Sequence, residues 1–179
     1  MTRLTSLPDD AVLLDVFKAY PATSEPLLDY HETVMRGESP FTVAEREFIA
    51  AYVSGLNSCS YCHGVHTVAA EACGVPVGQI PTAVIDVDDA EVPDRMKPVL
   101  RYVAKLTQAP SSVSDGDAHA VYAAGWDERA LHDAVVVCAL FNFMNRLVEG
   151  LGIRADANYF AESGKRLHDI GYAGLKGVH

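Results

Sequence analysis

The chain has 179 residues, 49% of them AVILMFWYC and 21% charged, enough apolar side chain for one domain with a sizeable core and too much for a disordered or collagen-like chain. Against 24 Asp+Glu stand 14 Lys+Arg, a formal charge of -10, and such a surface repels phosphate backbones and anionic lipid heads, so neither nucleic acid nor a membrane is an expected partner. The first ten residues lack the apolar centre of a signal peptide, and no later run reaches roughly 18 uninterrupted apolar residues, which leads us to expect a soluble cytoplasmic protein.

From Asp10 the apolar positions Val12, Leu13, Val16 and Phe17 predict a short helix closed before Pro21. A second is predicted from Ser24 as N-cap, with Pro26 in its first turn, to Gly37. The third has the clearest start, Thr42-Val-Ala-Glu45, a capping box in which the Thr oxygen and the Glu carboxylate satisfy orphan amides reciprocally; it should run to Leu56. After Asn57 and Ser58 as turn and cap, Cys59 opens a fourth helix that stops at Gly74 before Pro76, so these two helices form a hairpin. Residues 75–93, interrupted by Pro76, Pro81 and Pro93, read as a loop with at most one short helix. Helices resume over about 94–108, 114–124, 127–152 and 156–170, and no apolar/polar alternation marks a strand, so the fold class is all-α over residues 1–179.

Shifting the chain by 83 residues places Glu45-Arg46 on Glu128-Arg129, Phe48 on Leu131, Cys59 on Asn142, Cys62 on Asn145 and His66 on Glu149. Residues 41–75 and 126–153 therefore read as a duplicated helical-hairpin unit. With Ala130 in the place of Glu47, the second copy has lost the ionisable set and is assigned a packing role.

Four cysteines are too few for a disulfide scaffold in a chain of this size. Cys73 and Cys138 lie in apolar segments and are expected to be buried and inert, whereas Cys59 and Cys62 form a CxxC. On a helix these two are one turn apart, with Cα atoms near 5 Å, inside the range a disulfide spans, and they sit where free amides favour a thiolate. Lowering a thiol pKa from about 8.5 to about 6.5 takes about 2.7 kcal/mol, while a helix terminus typically supplies about 0.3–1 kcal/mol. A second contributor is needed, and His66, four residues after Cys62, lies on the same face. Glu47 is the carboxylate that could stand beside it. In an antiparallel hairpin Glu47 lies about 13.5 Å and His66 about 10.5 Å from the turn, and Ala51, Ser54 and Gly55 on the face of Glu47 are small enough to let the next helix approach. The expected relay runs from Glu47 through His66 to the cysteine pair, and Glu47→Gln is expected to slow it without unfolding the chain.

Glu47, eleven residues and then Cys59-x-x-Cys62-x-x-x-His66, resembles the AhpD-like alkylhydroperoxidase branch of the carboxymuconolactone decarboxylase family. The resemblance is strong over 41–75, where Glu45-Arg46-Glu47-Phe-Ile-Ala and Asn57-Ser-Cys-Ser-Tyr-Cys-His look like peroxidase-related members. It is weaker over 126–153, with Phe141-Asn-Phe-Met-Asn-Arg-Leu. It implies an all-helical AhpD-like fold, association into trimers or hexamers, and reduction of hydroperoxides without a cofactor. The implied electron donor is a dithiol, a lipoyl group or a thioredoxin-like protein. Carried over by position, Cys62 is the peroxidatic thiol, Cys59 the resolving thiol, and His66 with Glu47 the proton relay. Tyr61 stands where the namesake hydroperoxidase has a histidine, and the CxxC argues against the decarboxylase reaction.

Cys59-Ser-Tyr-Cys62-His63 also spells a c-type haem attachment signature, although such attachment usually follows export; His63 reads more simply as a solvated or interface side chain. A structural zinc site on Cys59, Cys62 and His66 would need a fourth ligand that no second motif supplies. A non-catalytic redox-sensing oligomer is the alternative of a different class. His31, His119, His168 and His179 are expected at the surface, His132 in the core or an interface, and Tyr52 and Tyr61 in packing roles.

Overall fold

The structure, a computed structural model, describes residues 2–177. Nine α-helices follow one another among them: α1 (Leu13–Ala19), α2 (Pro21–Arg36), α3 (Val43–Leu56), α4 (Ser60–Ala72), α5 (Gln79–Ile85), α6 (Met96–Gln108), α7 (Asp115–Ala123), α8 (Glu128–Leu151) and α9 (Ala157–Ile170). Short 3-10 turns lie at Pro110–Ser112 and Ala173–Gly177, and no strand occurs among the described residues. The all-α fold class is thus observed.

The capping box forms as its letters require: Thr42 accepts from the Glu45 amide and Glu45 accepts from the Thr42 amide at 2.8 Å. The helix it starts is the centre of the molecule. Every α3 residue from Arg46 to Ser54 is buried, enclosed by α2, α4, α5, α6 and α8. α2 begins at Pro21 instead of Ser24: proline is pre-shaped for a first helical position, which leaves Ser24 buried in the first turns and Pro26 inside the helix.

The expectation of a second hairpin over 126–153 is corrected. Those residues form one uninterrupted helix, α8, from the Asp127 cap to Gly152 in the left-handed region (φ 70°). The positions matching Asn57-Ser58-Cys59 hold Leu140-Phe141-Asn142, which carry no turn signal. By length and composition α8 is also apolar enough to cross a bilayer; here it packs against α3 and α6 and buries Val137, Cys138, Phe141, Met144 and Val148.

α4 and α9 meet through two glycines. A Cβ on Gly164 would lie 2.7 Å from the Val65 carbonyl oxygen, and one on Gly64 would meet the Phe160 ring at 2.5 Å. Because a backbone oxygen cannot rotate away, Gly164→Ala should lose more to overpacking, about 1–3 kcal/mol, than the helix gains from alanine, about 1 kcal/mol. The control is Gly150→Ala on α8, where the added methyl meets nothing within 4 Å. In urea unfolding we expect Gly164→Ala to lower the midpoint and Gly150→Ala to leave it unchanged or raise it.

Candidate active site

The turn between α3 and α4 sets the position of the cysteines. Ser58 adopts a left-handed conformation (φ 55°), the Ser58 amide donates to Gly55 O at 2.9 Å and the Cys59 amide to Ser54 O at 3.0 Å. These two bonds close α3 as a Schellman motif with serine in the usual glycine place. Cys59 is therefore the N-cap of α4, one position earlier than expected, and Cys62 lies in the first turn. Both thiols are free and buried. The neighbouring Cys62 thiol, with burial opposing it and the Cys62 amide assisting, holds the Cys59 thiol below the usual cysteine value. Cys59 and burial in turn push the Cys62 thiol well up. Of the two, Cys59 is therefore the sulfur that gives up a proton first.

Glu47 is completely buried and has three donors. His66 Nδ1 donates to its Oε2 at 2.7 Å, Arg36 pairs with its Oε1 at 2.7 Å, and the Tyr172 hydroxyl donates to Oε1 at 3.0 Å. Burial alone would raise its pKa, but His66 and then Arg36 outweigh that and hold the carboxyl below its ordinary value. The Tyr172 hydroxyl stays neutral because burial, and then Glu47, push its pKa well up. Tyr172 lies beyond α9, in a segment held to α2 by Glu32 Oε2, which accepts from the Tyr172 amide at 2.7 Å and the Ala173 amide at 2.9 Å. Arg36 also donates to Leu167 O at 3.1 Å and stacks 5.0 Å over the Tyr172 ring.

Cys62 and His66 open onto one mainly apolar pocket of about 60 Å³. That is under half of the roughly 150 Å³ that holds a benzene ring, so only the head of a small molecule reaches the sulfur. Its floor includes Phe17, Leu28, His31, Phe141 and Tyr172, and its rim Leu13, Tyr159, Ser163 and Arg166. Tyr61 forms part of the wall: its hydroxyl donates to Tyr159 Oη at 2.9 Å and accepts the Leu13 amide at 3.3 Å, and burial pushes its pKa up, so it remains a neutral packing group.

No protein-family model and no curated protein matches this sequence. Solved structures do. A peroxidase-related protein from Silicibacter sp. TM1040, itself uncharacterised, superposes with a TM-score of 0.77 at 25% identity over 83% of this chain and 78% of its own. An uncharacterised peroxidase-related protein from Ralstonia eutropha JMP134, described as an alkylhydroperoxidase AhpD core, gives 0.76 at 23% identity over 84% and 78%. This chain has the AhpD-like fold. An Agrobacterium tumefaciens protein of unknown function, described as a candidate AhpD of antioxidant defence, agrees, at 0.72 and 16% identity over 87% and 99%.

The AhpD-like chain brings together all four expected site residues, and several the sequence reading did not include. Arg36 and Tyr172 carried no local signal, since a lone arginine at a helix end and a tyrosine after the last helix look like surface residues. His31, expected at the surface, is 3% exposed: Leu28, one turn before it, puts the same α2 face against the pocket. The second segment is more than packing. Asn145, buried on α8, donates to Ser54 Oγ at 2.9 Å and accepts from Asn57, and its amide favours the Cys62 thiolate; Glu149 lies near enough to oppose ionisation of both cysteines.

Other expectations are corrected. Cys73 is half-buried and its sulfur contacts His168 Nδ1 at 3.4 Å, whereas Cys138 is fully buried. His132 is exposed beside Asp133, because its helix turns that position outward. His63 is half-buried, and its Nδ1 donates to Ala51 O at 2.9 Å. His119 and His168 are at the surface, and His179 lies outside the described residues. No group of three His, Cys, Asp or Glu side chains is placed to hold a metal among the described residues.

Glu47→Gln is not benign to the fold. It strips the partner from a mostly buried Arg36, a class of change that costs about 3–5 kcal/mol, and we expect that loss in urea unfolding at pH 7. Tyr172→Phe, which removes one donor and keeps the ring, should lose about 1.5–3 kcal/mol.

His31 supplies a pH test. Burial, opposed by its Leu27 bond, lowers its pKa from 6.5 to about 4. Between those values the unfolded chain takes up a proton that the fold refuses, so stability falls as pH drops from 6.5 towards 4. The loss is on the order of 3 kcal/mol. Urea midpoints measured across that window should fall less steeply for His31→Gln than for the parent.

Proposed function

We propose that this AhpD-like protein is a thiol-dependent peroxidase that reduces a hydroperoxide through Cys62 and Cys59. The observation that carries the reading is a buried carboxylate-imidazole pair, Glu47 and His66, opening onto the same apolar pocket as Cys62. The antioxidant and peroxidase-related descriptions of its structural neighbours agree with it.

Cys62 is the thiol that meets substrate, because it lines the pocket and Cys59 does not. The reactive form on this reading is the singly ionised pair, in which Cys59 carries the charge and Cys62 the proton. As the Cys62 sulfur attacks the distal peroxide oxygen, its proton passes to Cys59. The O–O bond breaks, and the departing alkoxide takes a proton from His66, whose imidazolium Glu47 stabilises. Cys62 is now a sulfenic acid. Cys59 sulfur attacks it, the S–O bond breaks, and the Cys59 proton leaves with the hydroxide as water. The sum is ROOH plus one thiol, one thiolate and one proton giving ROH, water and the disulfide. A dithiol, a lipoyl group or a thioredoxin-like protein, returns two electrons. On this reading the protein works as a trimer or hexamer in a reducing compartment, the cytoplasm, and needs no cofactor.

Hydroperoxide consumption with dithiothreitol as reductant tests the cycle. Cys62→Ser should fall to the uncatalysed rate. Cys59→Ser should accumulate a sulfenic acid on Cys62 that dimedone labels. Glu47→Gln, assayed where circular dichroism shows it folded, should be slower by about 10²-fold or more. Turnover by Cys62→Ser equal to the parent would refute the assignment; a reversible disulfide without turnover would indicate a redox sensor.

A further inference from the structure

His31 is buried, titratable and unused by the cycle above. We infer that its Nε2 accepts the O–H of the bound hydroperoxide and so makes the site selective for electrophiles that carry that hydrogen. The inference rests on the peroxidase reading.

The tautomer follows from one bond. His31 Nδ1 lies 2.8 Å from the Leu27 carbonyl oxygen, which can only accept, so Nδ1 carries the hydrogen and Nε2 is a bare lone pair. Burial keeps the ring neutral, with a pKa near 4. His31 lines the pocket that holds Cys62 and His66, and both imidazoles touch the same two rings. Phe141 meets His66 at 4.5 Å and His31 at 6.1 Å, while Tyr172 meets His31 at 5.2 Å and His66 at 6.3 Å.

The need for an acceptor comes from the substrate. A hydroperoxide has a single donor, the O–H on the oxygen that sulfur attacks, and in a dry pocket that hydrogen must be received. A phenol oxygen is a weaker acceptor than an imidazole nitrogen, the Tyr172 and Tyr61 hydroxyls are held by their bonds to Glu47 and Tyr159, and His66 is the proton donor of the proposed cycle. His31 is left. By holding the distal O–H it orients that oxygen towards Cys62, and the same hydrogen remains on the sulfenic acid, so no proton changes owner at this step.

The test compares two reagents on one thiol. Rates of Cys62 modification are measured for the parent, His31→Phe and His31→Gln, with tert-butyl hydroperoxide and with methyl methanethiosulfonate, which reacts with the same sulfur and has no O–H. His31→Phe should slow the hydroperoxide about 100-fold, the size expected when a reacting group is misplaced, and leave the thiosulfonate rate within about threefold. His31→Gln, which retains an acceptor oxygen, should recover at least tenfold over His31→Phe. Equal slowing of both reagents would reduce His31 to a packing residue, and an unchanged hydroperoxide rate in His31→Phe would overturn the inference. A parent that reacts with the thiosulfonate and not with the hydroperoxide would overturn the peroxidase reading, and the role of His31 with it.

Discussion

A carboxylate with no access to water is the constraint on which this molecule is built. An isolated buried charge of that kind costs many kcal/mol, and Glu47 is tolerable only because Arg36, His66 and Tyr172 all point at it. They come from α2, α4 and the segment after α9, while Glu47 itself lies on α3. Four parts of the chain must therefore be in place before the charge is neutralised, which couples assembly of the fold to assembly of the site. A buried ion pair is weak evidence for stability, since an apolar replacement of the same shape often does as well. On the proposed function, the pair serves the chemistry of the imidazole on its other side.

That other side is the pocket. Orientation by Glu47 leaves His66 Nε2 free for chemistry, and the apolar rings of Phe141 and Tyr172 keep the imidazole in register. The sulfur pair is adjusted by a different set of groups. Cys59, as N-cap, draws on the first-turn amide and on the thiol of Cys62, whereas Asn145 and Glu149 approach from α8. The more acidic sulfur is thus the one away from the pocket, and the one that lines it is its proton partner. Such a division lets a buried dithiol carry a single charge in place of two, which a dry interior tolerates far better.

Much of the fold was legible because helix signals are local. Thr42-Val-Ala-Glu45 is a cap whatever surrounds it, Gly37, Gly74 and Gly152 follow helix ends, and periodicity placed all but the fine boundaries. The differences are local too. Pro21 ends one helix and, with its φ already suited to a first helical position, starts the next, so α2 begins before the Ser24 cap. Residues 126–153 match the hairpin side chain by side chain, but Leu140-Phe141-Asn142 has no means of turning, so they keep the single helix that their periodicity marks over 127–152.

By itself the sequence determined the helices, the hairpin, and the alignment of Glu47, His66, Cys59 and Cys62, since all four lie on two adjacent helices joined by a short turn and their heights follow from the rise per residue. Tertiary structure alone decided the rest. Arg36, Tyr172 and His31 reach the site from far along the chain, and nothing in their local spacing says which face will be covered. Which sulfur is more acidic was likewise undecided by spacing, because the thiol–thiol contact and the burial of each sulfur depend on how the turn packs.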